Sequence, residues 1–346
     1  MGNDITINCL KRGEKVVYSI DNGLRETISQ VNAILSTRYR DILSLDRKTF
    51  RSFIDENVGT MGTIRRLSNE DMVLCAKRGG ILGVDGSNNR MGGAYPHFVE
   101  VYQGLALCSI HCDRPIFRTD FYTPIDSRET DNPLEDSPAG EESIRKRKLS
   151  AIEVEAALEG VRQFNPHVVI MDGSLIRYNI ECSDRWIALR EECERRGIII
   201  IGIIEDIKTS IIGDLLLEHG LLDTRRHFYD RELLYGLLEY GETISIMKGA
   251  TKKSDEGFST LFMRSSQSPS VIGVDILDSQ EEELEYMARL VLSLTPKDGR
   301  GVPLWLDIVD REVRIPNQMM RGLLESYLDR EILELFFIPE RDKRTF

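Results

Sequence analysis

The chain lacks any apolar run long enough to cross a bilayer. Its longest, such as Ile198–Ile201 and Val168–Met171, are strand-sized, whereas a membrane helix needs about 20 apolar residues. No basic segment followed by an apolar stretch opens the sequence, so export is not expected. Cysteine is sparse: residues 9, 75, 108, 112, 182 and 193 form no disulfide framework, and a reducing cytoplasm suits them best. Cys108-Ser-Ile-His111-Cys112 invites a zinc reading. On a strand, however, the two cysteines share one face while His111 points to the other, and no second pair has ligand spacing. A Walker A sequence is missing, so the chain does not itself power a translocase. No Gly-x-Ser-x-Gly elbow exists to make a nucleophile of Ser87 or Ser174. An excess of positive charge is missing too, since 45 Lys and Arg against 57 Asp and Glu leave a formal charge of −12. That excludes a general basic coat for nucleic acid, although bound metal ions can restore positive charge locally. Basic clusters do occur at Arg38, Arg40, Arg47, Lys48 and Arg51, at Arg65 and Arg66, and at Arg145–Lys148. Each reads equally well as a solvated helix face.

What is present is an ordinary globular composition, 41% hydrophobic and 29% charged, with length enough for a sizeable core. Leu24, Ile28, Val31 and Leu35 recur at helical spacing, so residues 16–56 are expected to be helical and residues 1–75 to form a helical N-terminal arm for packing or dimerisation. The core is expected to begin at Gly80–Asp85, a strand ending in the turn-forming Gly86-Ser87-Asn88-Asn89. Strands over 98–110 and 115–123 complete a meander, and the polar stretch 126–142 reads as a surface loop. A helix over 143–164 stops at Asn165-Pro166. Strand 167–171, helix 183–196 and strand 198–204 follow. This alternation implies parallel strands joined by right-handed crossovers, an α/β fold. Later, residues 230–242 read as helix, 243–247, 258–263 and 271–277 as strands, and 281–294 and 318–335 as helices.

The most informative feature is a repeated tripeptide, Asp85-Gly86-Ser87 and Asp172-Gly173-Ser174. Both copies follow an apolar strand. A carboxylate at a strand's carboxyl end projects into the crevice where α/β sheets bind ligands, and two on neighbouring strands make a hard-oxygen site suited to Mg²⁺ or Mn²⁺. The alternative is that Asp-Gly simply makes a good turn. On the preceding helix, Val154, Leu158 and Val161 define the buried stripe. Glu155 lies beside it and could lean toward the aspartates, while Glu153 points more nearly away; an ordinary acidic face remains the competing account. Asp307 and Asp310 lie one turn apart near the C-terminus, and a helix-dipole role suffices for Asp307.

Together these segments resemble the NurA nuclease family. The likeness rests on Gly83-Val-Asp85-Gly-Ser87, the helix glutamate, Val168-Val-Ile-Met-Asp172-Gly-Ser-Leu175, Gly202-Ile-Ile-Glu-Asp-Ile-Lys208-Thr-Ser210, Asp230-Arg-Glu-Leu-Leu234 and the segment from Pro303 to Asp310. It spans about residues 80–315, and a family domain over 76–346. The resemblance implies a ribonuclease H-like core with a mixed sheet flanked by helices. It also implies a homodimer, and DNA degradation with Mn²⁺ or Mg²⁺, two ions in the site. The expected activity is 5′-to-3′ exonucleolytic, with single-strand endonuclease activity in some members. A HerA-type hexameric ATPase is the implied partner, in DNA end processing or defence against foreign DNA. By position, Asp85, Glu155 and Asp172 would ligate metal and Lys208 would face phosphate. Asp310 stands where many relatives carry a histidine, so its role is open between ligating metal, assisting a water and doing neither. Two other readings compete: an actin-like-fold phosphotransferase, and a non-catalytic subunit that binds DNA or the ATPase.

Overall fold

The computed structural model describes residues 21–93, 95–126, 138–222 and 227–334. Two helices open it, α1 (Asn22–Ser44) and α2 (Arg47–Asn57), as the helical spacing predicts; the expected helix before residue 21 lies outside the described residues. Asp46 starts α2 by accepting the Thr49 backbone N–H at 2.8 Å, an N-cap that satisfies an otherwise orphan donor. Next comes β1 (Gly59–Thr63), a strand inside the segment expected to be a helical arm. Its Gly-Thr-Met-Gly-Thr sequence carries almost no apolar periodicity. It is held as a strand by antiparallel pairing along β7, where a Cβ at Gly59 would stand 2.2 Å from the Ser245 carbonyl oxygen.

After α3 (Asn69–Lys77) the chain forms β2 (Ile81–Gly92), β3 (Phe98–Cys108) and β4 (Ile116–Tyr122), the expected meander. Helix α4 (Pro138–Phe164) leads to β5 (Val168–Asp172), followed by α5 (Leu175–Glu181), α6 (Ser183–Arg196) and β6 (Ile199–Ile204). Gly197 ends α6 in the left-handed conformation, φ 66°, a position that glycine alone occupies without strain. Then come α7 (Ile211–Glu218), α8 (Asp230–Leu234), β7 (Glu242–Ile246) and α9 (Lys252–Asp255). Strands β8 (Phe258–Met263) and β9 (Ile272–Leu277) precede α10 (Leu284–Leu294), α11 (Leu304–Val313) and α12 (Asn317–Tyr327). The helix expected over 230–242 stops after Leu234, because Gly236 takes φ 71° and turns the chain.

Among the described residues these strands form one mixed sheet in the order β1-β7-β8-β9-β6-β5-β2-β3-β4. Strands β2, β5 and β6 are parallel, and the pairs on either side of them are antiparallel. The β4-β3-β2-β5-β6 portion is the ribonuclease H-like core, an antiparallel meander continued by two crossover strands. Period-2 alternation assigns the faces. Val168 and Ile170 belong to the core covered by α10 and α11, while Val169 and Met171 belong to the core under α4, α5 and α6. A third core joins Phe50, Ile54 and Val58 of the N-terminal region to Ile212, Phe228 and Leu234. Burying such side chains stabilises by about 1.5–3 kcal/mol each, so α2 is fixed to the body of the protein.

Candidate active site at the rim of the parallel strands

The last parallel pair between β2 and β5 is Val84 with Met171. Asp85 and Asp172 are therefore neighbours one residue farther on, across strands about 4.8 Å apart. Val84 and Met171 face the α4 side, so alternation turns both aspartates to the other face. Gly83 confirms the direction, since a Cβ there would meet Trp305 and Val309 of α11 at 2.8–3.0 Å. The register thus sets Asp85 beside Asp172.

Asp85 is not at a strand end, as the sequence led one to expect. Strand β2 runs on to Gly92, paired throughout with β3, Gly86 opposite Gly104. Gly86 is there for proximity rather than for a turn: a Cβ would lie 2.5 Å from Glu153 Oε1 and 2.8 Å from Leu149 Cδ1. At Gly104 a Cβ would lie 2.8 Å from the Ile152 carbonyl oxygen. The paired glycines let the α4 backbone settle directly on the sheet and bring Glu153 to the rim. The second tripeptide does turn. Gly173 has φ 110°, Ser174 Oγ donates to Asp275 Oδ2 at 2.6 Å, and the Leu175 amide donates to the same oxygen at 3.2 Å. Asp275 on β9 is fully buried and ion-paired with Lys253 at 2.8 Å, so it anchors the turn that follows Asp172.

The helix glutamate is a correction. Glu153, expected to point away, is 1% exposed, whereas Glu155 turns outward and pairs with Arg185 Nε at 2.6 Å. The physical reason is that α4 packs against both the sheet and α5–α6, so its buried surface is wider than one stripe. Ser150, Glu153, Ala157 and Gly160 all fall within it, and that run of small residues at helical spacing is the signal that would have found Glu153. Arg177 and Tyr178 of α5 hold its carboxylate, the tyrosine hydroxyl donating at 2.7 Å. Both also donate to the Asp172 carbonyl oxygen, at 3.3 and 3.2 Å.

Asp310 lies on α11 and accepts from Arg314 Nη2 at 2.5 Å. Glu205, just past β6, pairs with Arg300 Nη1 at 2.5 Å, and Arg300 also holds Asp307 at 2.8 Å. Glu205 was not singled out in the sequence, although it ends the third parallel strand as Asp172 ends the second. Lys208 is exposed on the loop leaving β6. The basic clusters resolve largely into ion pairs: Arg47 with Glu239, Arg51 with Glu242, Arg145 with Glu100 and Lys148 with Asp120.

Electrostatically the rim is crowded with like charge. Asp85 is pushed up to about 8, first by burial and then by Asp172, Glu153 and Asp310. Its only hydrogen-bond donor among the described residues is the adjacent Gly86 amide, at 2.7 Å. Burial also raises Asp172, against the pull of Arg177 and Arg300, and raises Glu153 against Arg177 and Tyr178. A divalent cation fits this donor set chemically, because it would supply the positive charge that Asp85 lacks. As the side chains stand, arginines hold the outer acids apart, and among the described residues no three Asp, Glu, His or Cys groups converge at ligating distance. The same holds for zinc: Cys108 is buried, Cys112 is exposed, and His111 stacks on Phe164 at 5.1 Å.

A mixed sheet with carboxylates gathered where parallel strands end, and helices on both faces, defines an α/β protein of the ribonuclease H-like class. The NurA domain model matches residues 79–315. The chain belongs to the NurA-type nuclease family. Among solved structures it is similar to Endonuclease V from Bacillus subtilis, at 13% identity and a TM-score of 0.37, over 82% of this chain and 96% of that one. The catalytic domain of human Endonuclease V aligns at 13% identity and a TM-score of 0.36, over 84% and 98%. Argonaute from A. aeolicus aligns at 12% identity and a TM-score of 0.32, over 67% of this chain and 28% of that one. No curated protein matches it.

Proposed function

We propose that this protein is a metal-dependent deoxyribonuclease whose site is the Asp85–Asp172 rim. The observation that carries this reading is the placement of two carboxylates, distant in sequence, on adjacent parallel strands and one face, with no cationic partner for Asp85 among the described residues. Asp85 and Asp172 would hold Mn²⁺ or Mg²⁺, with Glu153 rather than Glu155 as the helix ligand. A pair of such ions supplies Lewis-acid stabilisation of phosphoryl oxygens and lowers the pKa of water. The chain's own groups do the rest. Asp310, both of whose carboxylate oxygens accept from Arg314, assists the attacking water. Lys208, and Arg177 beside Gly173, offer cations to the substrate phosphate.

Family membership supports DNA as substrate, 5′-to-3′ digestion with single-strand endonuclease activity, and a HerA-type hexameric ATPase that feeds DNA to the site. The protein's role would lie in DNA end processing or in defence against foreign DNA. A homodimer is further supported by α1, where Leu24, Ile28 and Ile34 are each more than half exposed. No described helix is long and apolar enough to cross a membrane.

The deciding experiment is cleavage of end-labelled single- and double-stranded DNA with Mn²⁺, for wild type, Asp85→Asn and Asp172→Asn. Cleavage by wild type alone, abolished by chelator, is the expected result. Full activity in both variants would reject the site. DNA binding without any wild-type cleavage would favour the non-catalytic reading instead.

A further inference from the structure

The carboxylate rim does not end at β6. Glu205, whose charge bears on Asp172, also lines a cavity of about 860 Å³ beside it. The lining of that cavity also includes Val271, which directly precedes β9, and β9 pairs Gly273 with Ile204 at the end of β6. The cavity thus opens on the same edge of the sheet as Asp85 and Asp172, one strand farther along. Its volume falls within the roughly 300–1,000 Å³ of small-ligand sites.

Its lining combines aromatic rings with two arginines and three acids. Tyr39 of α1, Phe50 of α2 and Tyr235 after α8 line it together with Arg47 and Arg231. Tyr235 is 64% exposed. The acids that share the lining are neutralised by partners. Arg231 holds Asp206 at 2.9 Å, Arg38 holds Glu232 at 3.4 Å, and Arg300 holds Glu205 at 2.5 Å. A partly aromatic chamber is the chemistry that takes an unpaired nucleobase by stacking, and Arg47 and Arg231 of its lining, each now held by one carboxylate, are the cations within reach of its phosphate.

We propose that this cavity receives a base of single-stranded DNA next to the scissile phosphate, so that the enzyme grips an unpaired strand on the β6–β9 side of the cut. The inference rests on the nuclease reading above. It adds a subsite and the strand state of the substrate there. Stacking on Tyr235 orients the strand, and the Glu205 end of the cavity delivers the adjoining phosphate to the aspartates.

The test uses the full chain in chelator with single-stranded octanucleotides carrying 2-aminopurine at successive positions, read by fluorescence and by anisotropy. Wild type is expected to change the fluorescence strongly at one position only, and an abasic residue there should weaken binding. Tyr235→Ala should lose that signal and bind roughly 5- to 150-fold more weakly, the range for losing one base stack, while Tyr235→Phe keeps both. Unchanged binding and position dependence in Tyr235→Ala, in a wild type that cleaves DNA with Mn²⁺, overturns the subsite and leaves the nuclease assignment standing. A wild type that neither binds nor cuts any strand overturns both.

Discussion

Glu153 and Glu155 sit two residues apart on one helix, and replacing each by glutamine separates their roles. Glu155 pairs with Arg185 where the side chains are 38% and 55% exposed. Such a pair is worth about 0–1 kcal/mol, so Glu155→Gln should move Tm by no more than about 2 °C. Glu153 is buried against Arg177 and Tyr178. Cutting a buried ion pair costs about 3–5 kcal/mol, but two features reduce that figure. The Arg177 side chain remains 32% exposed, and glutamine still accepts the tyrosine hydroxyl. Losing one negative charge also relieves repulsion with Asp85 and Asp172. The net cost should be about 1–2 kcal/mol, leaving the variant folded. Activity should separate far more widely. Removing a group that sets the metal site is expected to cut Mn²⁺-dependent cleavage by about 100-fold, equal to about 2.7 kcal/mol. Glu155→Gln should stay within about threefold of wild type, under 1 kcal/mol. The measurements are melting curves and initial rates on labelled single-stranded DNA for both variants. If Glu155→Gln loses cleavage while Glu153→Gln cuts at the wild-type rate, the reasoning from helix burial is wrong.

Three further outcomes follow from the same rim. Asp85, raised to about 8 in the folded chain against about 3.9 when unfolded, takes up a proton on folding between those values. Stability in chelator should therefore fall as pH rises across that window, and Asp85→Asn should flatten the fall by on the order of 3 kcal/mol, read from denaturant unfolding at pH 5 and pH 8.5. A parallel loss in Asp85→Asn would assign the effect to another group. Gly86→Ala should destabilise by about 1–3 kcal/mol through overpacking and lower cleavage as well, because its Cβ meets Glu153 Oε1 at 2.5 Å; a variant as stable and active as wild type would show that α4 can withdraw freely. Millimolar Mn²⁺ should raise the Tm of wild type and not that of the Asp85→Asn, Asp172→Asn double variant, and calorimetry showing equal gains would place the ions elsewhere.

Much of the architecture was legible because local and global preferences agree. The isoleucine run of β6, the Asn165-Pro166 stop and Gly197 each have one good solution, and the structure adopts it. Parallel pairing of β2 with β5 followed from the crossover helix between them, and with it the meeting of Asp85 and Asp172. The remainder depended on contacts that periodicity does not encode. Gly86 to Asn89 look like a polar turn, yet pairing with β3 keeps them extended. β1 is a strand only because β7 offers it an edge. Glu153 looked outward because a single apolar stripe locates one buried face, and α4 has neighbours on more than one. Glu205 went unnoticed because an acid after a strand is common, and only the sheet order puts this one beside Asp172.

At Gly104 the sheet meets the main chain of Ile152, so helix height over the sheet is there a matter of backbone against backbone, while Gly86 leaves the space that the Glu153 side chain occupies. Side-chain packing can drift by fractions of an ångström as neighbouring residues change, whereas a seat made of main chain cannot. The depth at which Glu153 reaches the rim is thereby insulated from substitutions along the outer surface of α4. Two hydrogen atoms standing in for side chains act as the gauge block for the whole site.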